Sequence, residues 1–124
     1  GEFERLFGPT ANSQERMEKA SALAQNYDFF VVLKGANTLI ATPDGKMYFN
    51  STGNPGMASG GMGDVLTGII VGLLAQGYSS TDSAVLGVYL HGLSADLALQ
   101  TQSEESLLAS DVAGNLGNTF KHLR

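Results

Sequence analysis

Residues 54–68, Asn-Pro-Gly-Met-Ala-Ser-Gly-Gly-Met-Gly-Asp-Val-Leu-Thr-Gly, carry the most legible chemistry in this chain. Gly56, Gly60, Gly61 and Gly63 leave their backbone N–H groups unshielded, so successive amides can converge on an anion. The apolar helix that starts there adds the positive end of its dipole. A phosphate suits such a cradle, formed by Gly60, Gly61, Met62 and Gly63. Asp64 falls in the first turn of that helix, beside the position of a transferring phosphoryl group, where a carboxylate can take a proton from an attacking hydroxyl. The same residues also fit a plain tight turn followed by a helix whose first-turn Asp complements the dipole, for roughly 0.3–1 kcal/mol. Four glycines crowded against an apolar helix cost about 0.5–1 kcal/mol each relative to Ala. That cost tilts the balance toward a functional anion site.

Other candidates are weaker. Lys34-Gly35-Ala36-Asn37-Thr38 follows an apolar run and by its chemistry alone reads as a surface Lys closing a strand before a hairpin. His91 lies inside an apolar helix and is expected to be packed and hydrogen-bonded. With His91 and His122 the only histidines, no histidine-based metal cluster can be assembled. Met57 and Met62 are expected to fill gaps, as flexible thioethers do. Asp96 and Asp111 are expected to be solvated or capping, and Asn54 to help shape the glycine loop. Ser59 lacks the Gly-x-Ser-x-Gly setting of a serine hydrolase. Cysteine is absent, which excludes disulfides, thiolate metal sites and a Cys nucleophile.

These residues need positioning elements. Residues 2–7 predict a short helix stopped by Gly8-Pro9. Between residues 13 and 26, Met17, Ala20, Leu23, Ala24 and Tyr27 recur at helical spacing and predict an amphipathic helix. Residues 29–33, Phe-Phe-Val-Val-Leu, predict a strand buried on both faces and, coming after a helix, a parallel α/β sheet. Residues 38–42 and 46–50 flank Pro43-Asp44-Gly45 and predict an edge β-hairpin. The glycine run opens a helix with Val65, Leu66, Ile69, Ile70, Leu73 and Leu74 on one face, closed by Gln76-Gly77. Ser80 or Thr81 is the expected cap of the next helix, and residues 84–99, apolar on nearly every side, predict a central buried helix. After a polar loop at 101–106, Ser110 is the expected cap of a last helix with Asp111 in its first turn and Val112, Leu116 and Phe120 inward.

Length and charge narrow the classes. The chain has 124 residues, 43% of them hydrophobic, enough for one compact domain with a modest core. A first residue that is Gly rather than Met, leading straight into an acidic stretch, reads as a segment of a longer polypeptide. A net charge of −5 with seven Lys and Arg argues against a nucleic-acid surface, which needs clustered cations. No membrane-length apolar run or targeting signal is present, which suits the cytoplasm.

Gly60-Gly61-Met62-Gly63-Asp64 resembles the Gly-x-Gly-Asp anion-hole motif of the ribokinase-like superfamily. Residues 54–68, with Gly72-Leu73-Leu74-Ala75-Gln76-Gly77, are most similar to the NAD(P)H-hydrate dehydratase family, over essentially the whole chain. The resemblance implies an α/β, ribokinase-like three-layer αβα sandwich, of which residues 1–124 would be the C-terminal part, with an edge β-hairpin and helices around the anion hole. It implies repair of hydrated NADH or NADPH, with ADP or ATP as co-substrate and Mg²⁺ bridging its phosphates. Asp64 would bind the hydrated substrate and act as base. Lys34, Gly35, Ala36, Asn37, Thr38 and Gly63 would contact the adenine nucleotide. Gly1-Glu2 is similar to the end of the family's Pro-His-Pro-Gly-Glu stretch, which would make Glu2 an indirect organiser of the metal. A homo-oligomer and, in some relatives, a fused N-terminal epimerase domain are further implications.

A small-molecule kinase of the same superfamily, such as a hydroxyethylthiazole or hydroxymethylpyrimidine kinase, shares the anion hole and the Asp. A nucleotide-binding module without chemistry is the third alternative. Because the dinucleotide pocket of the resembled family draws on upstream residues, the chain alone is expected to bind nucleotide weakly and to catalyse little.

Overall fold

The computed structural model describes residues 13–34, 37–58 and 60–123. Within it the chain forms two compact units, Gly1–Phe49 and Asn50–Arg124. The helix expected over residues 2–7, together with Glu2, Gly35, Ala36 and Ser59, lies outside the described residues.

In the first unit, α1 (Ser13–Tyr27) precedes three short strands, β1 (Val31–Leu33), β2 (Leu39–Ala41) and β3 (Met47–Phe49). They form one antiparallel sheet in the order β1-β2-β3. Val31 pairs with Ala41 and Leu33 with Leu39. Because side chains alternate along a strand, these four residues share one face, and α1 covers that face with Ala20, Ala24, Met17 and Leu23. The expected inward position of Tyr27 is not met. It stands 68% exposed at the helix end, where its ring stacks on Phe29 with centroids 5.7 Å apart.

The residue 29–33 expectation also needs correction. The strand covers only Val31–Leu33, is half-buried throughout, and pairs antiparallel. The connection to β2 is five residues, whereas a parallel crossover needs about a dozen or more. The fully buried strand is β2, because it is paired on both sides. The hairpin is as expected. Its turn is closed by Thr42, whose N–H donates to the Lys46 carbonyl at 2.9 Å and whose hydroxyl oxygen accepts the Lys46 N–H at 3.0 Å.

The second unit is helical. A 3₁₀ turn (Pro55–Ala58) leads to α2 (Met62–Ala75) and α3 (Ser80–Ala98); a second 3₁₀ turn (Glu104–Ser106) then precedes α4 (Ala109–Gly114) and α5 (Leu116–His122). The central helix is α3, which packs against α2, α4 and α5. It is capped by Ser79, one residue before the expected pair, whose hydroxyl accepts the Asp82 N–H at 3.1 Å. Met62, Ala95, Ala98, Leu107 and Val112 form the core, joined by Met57, Val65 and Ala109. Burying Leu107 or Val112 stabilises by about 1.5–3 kcal/mol each. On α2 the buried positions are Met62, Leu66 and Leu73, while Leu74 is 43% exposed rather than inward.

The last helix is two helices. Asn115 breaks it and donates from Nδ2 to the Ser94 carbonyl at 3.1 Å, while Ser94 Oγ donates to the Val112 carbonyl at 2.7 Å. The break shifts the helical register. Phe120 is therefore 43% exposed, and Thr119 takes the buried place. The cap of α4 is Leu108 rather than Ser110. The Asp111 carboxylate accepts the Leu108 N–H at 2.9 Å, so Asp111 has the capping role foreseen for it. No helix among the described residues is long and apolar enough to cross a membrane.

Candidate active site at the N-terminus of the second-unit helix

The glycine run delivers the chain into α2 through Gly61, which is the N-cap residue at φ 86°. That left-handed conformation strains any residue with a Cβ. A cap without a side chain also leaves the first N–H groups of the helix, which have no partner within it, open to an external acceptor. By contrast, α3 fills the equivalent place with the Ser79 hydroxyl.

Gly60 is exposed, and a Cβ built on it would meet no described atom within 4 Å. Packing among the described residues does not require a glycine there. Met62 points into the core at 4% exposure, so it anchors the turn by its side chain and leaves only its backbone at the helix start. Gly63 is half-buried. Asp64 is exposed in the first turn of α2.

Upstream, residues 52–54 are tied to α3. Thr52 Oγ1 donates to the Tyr89 carbonyl at 2.9 Å. The Gly53 N–H donates to Asp96 Oδ2 and Asn54 Nδ2 to Asp96 Oδ1, both at 2.9 Å. Asn54 Oδ1 in turn accepts the Gly56 N–H at 3.0 Å. Asn54 thus shapes the loop, as expected. Asp96 departs from expectation, being neither solvated nor a cap but the half-buried acceptor that holds the loop. The sequence shows only that Tyr89, Gly92 and Asp96 share one face of α3 at i, i+3 and i+7; the fold decides which donors meet that face.

His91 is packed inside α3 at 6% exposure. Of the nucleotide candidates in the first unit, Lys34 and Asn37 are exposed and Thr38 is half-buried. They belong to a different compact unit from Gly60, Gly61, Met62, Gly63 and Asp64.

The fold is that of the ribokinase-like α/β class. A ribokinase-like superfamily protein from Enterococcus faecalis matches with TM-score 0.75 at 33% identity, over 98% of this chain and 41% of that one. Within that class, the family model described as NAD(P)H-hydrate dehydratase matches residues 1–117, and the chain belongs to the NAD(P)H-hydrate dehydratase family. An ADP/ATP-dependent NAD(P)H-hydrate dehydratase from Bacillus subtilis, crystallised with ATP and Mg²⁺, matches with TM-score 0.91 at 38% identity, over all of this chain and 46% of that one. A bifunctional NAD(P)H-hydrate repair enzyme from Moorella thermoacetica is 45% identical over 99% of this chain and 24% of its own length. The chain thus spans less than half the length of these relatives.

Proposed function

We propose that residues 1–124 form the C-terminal part of a ribokinase-like three-layer domain that dehydrates hydrated NADH or NADPH at the expense of ADP or ATP. The observation that carries this reading is the start of α2, where a side-chain-free, left-handed cap at Gly61 precedes an exposed Asp64. Asp64 takes the proton of the ring hydroxyl, whose oxygen attacks the terminal phosphorus. The bond to the bridging oxygen breaks, releasing AMP from ADP or ADP from ATP. Departure of phosphate from the ring carbon, with loss of a ring proton, then restores the double bond. Backbone N–H groups of Gly61, Met62 and Gly63 stabilise the charge that develops on the phosphoryl oxygens.

Lys34, Gly35, Ala36, Asn37, Thr38 and Gly63 contact the adenine nucleotide in this reading. Mg²⁺ bound with the nucleotide would supply charge neutralisation at its phosphates, with Glu2 an indirect organiser. Among the described residues no three or more His, Asp or Glu side chains are gathered to hold a metal of their own. The setting is cytoplasmic and the assembly a homo-oligomer. The bifunctional relatives support a parent with a fused epimerase domain.

The test uses the full-length protein with hydrated NADH, Mg²⁺ and ADP or ATP, following return of the near-ultraviolet absorbance of the reduced nicotinamide. Recovery that requires nucleotide and falls about 10²-fold in Asp64→Asn, the scale for loss of a positioned base, is the expected result. A folded, nucleotide-binding protein that gives no recovery but a stable phosphorylated alcohol would make it a small-molecule kinase instead.

A further inference from the structure

Asp96 lies on α3, and both oxygens of its half-buried carboxylate are used by one loop. Oδ2 accepts the Gly53 N–H and Oδ1 accepts Asn54 Nδ2, each at 2.9 Å. A carboxylate offers only acceptors when ionised, so it dictates how the Asn54 amide is turned. The nitrogen must face Asp96, which leaves Oδ1 facing the Gly56 N–H at 3.0 Å. The Asn54 carbonyl accepts the Met57 N–H at 3.1 Å and closes the Pro55–Ala58 turn. From that turn the chain enters Gly60 and the start of α2.

We infer that Asp96 is a positioning residue for the anion-binding turn, acting through Asn54 and touching no substrate itself. The inference rests on the dehydratase reading of Asp64 and its glycines. An Asn at position 96 has nearly the same volume but presents an NH₂ group to one of two donors, so one of the two bonds becomes a donor–donor contact. The loop then loses its fixed register although the packing of α3 is kept. Misplacing a transition-state cradle by about 1 Å costs about 10²-fold in rate, and the loss falls on kcat more than on KM for the nucleotide, because the developing charge is what the cradle serves.

The experiment compares Asp96→Asn, Asn54→Ala and the double variant in the full-length protein, with Asp111→Ala as a control in which another helix carboxylate loses only a cap. Asp96→Asn and Asn54→Ala are each expected to lower kcat for hydrated NADH by about 10–10²-fold, with the double variant no worse than the more damaged single. Asn54→Ala breaks the same relay from the loop side and keeps the test decisive if Asp96→Asn folds poorly. Additive losses, or an Asp96→Asn protein that like Asp111→Ala is less stable yet turns over normally, would overturn the inference. Amide hydrogen exchange needs no activity. Asp96→Asn should accelerate exchange in peptides covering residues 53–58 while peptides of α3 stay protected; unchanged exchange there refutes the positioning role even if the dehydratase reading fails on the wild-type protein.

Discussion

Gly92 and Thr52 are in such close contact that a methyl group on residue 92 would stand 2.2 Å from Thr52 Oγ1, 2.7 Å from its carbonyl carbon and 2.8 Å from the Gly53 nitrogen. The loop before the glycine turn therefore lies directly on the backbone of α3. In an open helix Gly→Ala stabilises by about 1 kcal/mol. Here the obstructing atoms are largely backbone, and forcing them apart costs about 1–3 kcal/mol. Gly92→Ala is expected to be net destabilising in denaturant titration and to slow turnover as well. A stabilised variant would show that the loop can lift without penalty.

Gly60 and Gly61 separate folding from function. Gly61 has φ 86°, and a Cβ there would stand 3.2 Å from the Ala109 Cβ, so Gly61→Ala should lose about 1–2 kcal/mol of stability. Gly60 meets neither constraint among the described residues, and Gly60→Ala should change stability by less than about 0.5 kcal/mol. Its turnover should nevertheless fall, because the added methyl occupies the cradle. Full activity in Gly60→Ala would remove Gly60 from the site.

Lys34 is exposed immediately after β1, where its truncation should leave the fold intact. If it pairs with nucleotide phosphate, Lys34→Ala forfeits a charged hydrogen bond of about 1.5 kcal/mol or more, roughly tenfold in affinity. Calorimetric titration of the full-length variant with ADP and Mg²⁺ measures this directly. Wild-type affinity would return Lys34 to the role of a surface cation.

The cap of α3 can be assigned by three substitutions. Ser79→Ala removes the acceptor of the Asp82 N–H and should lower stability by about 1 kcal/mol. Ser80→Ala and Thr81→Ala should each stay within about 0.5 kcal/mol of wild type. Thermal melts that rank the three otherwise would move the cap.

Asp44 gives the hairpin a pH dependence. Its carboxylate accepts a hydrogen bond from the Thr42 hydroxyl, and this bond above all holds its pKa below the ordinary value of 3.8. A depressed carboxylate contributes stability that is complete above the unfolded-state value and is lost as pH falls through the folded one. The melting-temperature gap between wild type and Asp44→Asn should therefore be constant near neutrality and close only below about pH 3.8. A gap that persists in stronger acid would assign the effect to the turn backbone instead.

The periodicities and local chemistry of the sequence determined a good deal of this protein. Pro43-Asp44-Gly45 between two apolar segments specified the hairpin; helical spacing specified α1 and α2, and an all-round apolar run the buried α3; the glycine run before Asp64 marked the turn that opens α2. Each of these rests on interactions within a few residues, which is why a linear reading reaches them. Tertiary structure decided the rest. The apolar run at residues 29–33 became a half-buried antiparallel strand because its partner lies five residues away, and in the Val112, Leu116 and Phe120 stripe Val112 is buried as expected while Phe120 turns outward, because Asn115 bonds to Ser94 and breaks the register. Asp96 looked like any helical carboxylate until the loop 42 residues earlier was seen folded onto it. Its role depends on which donors the fold brings to it, and no property of the residue alone carries that information.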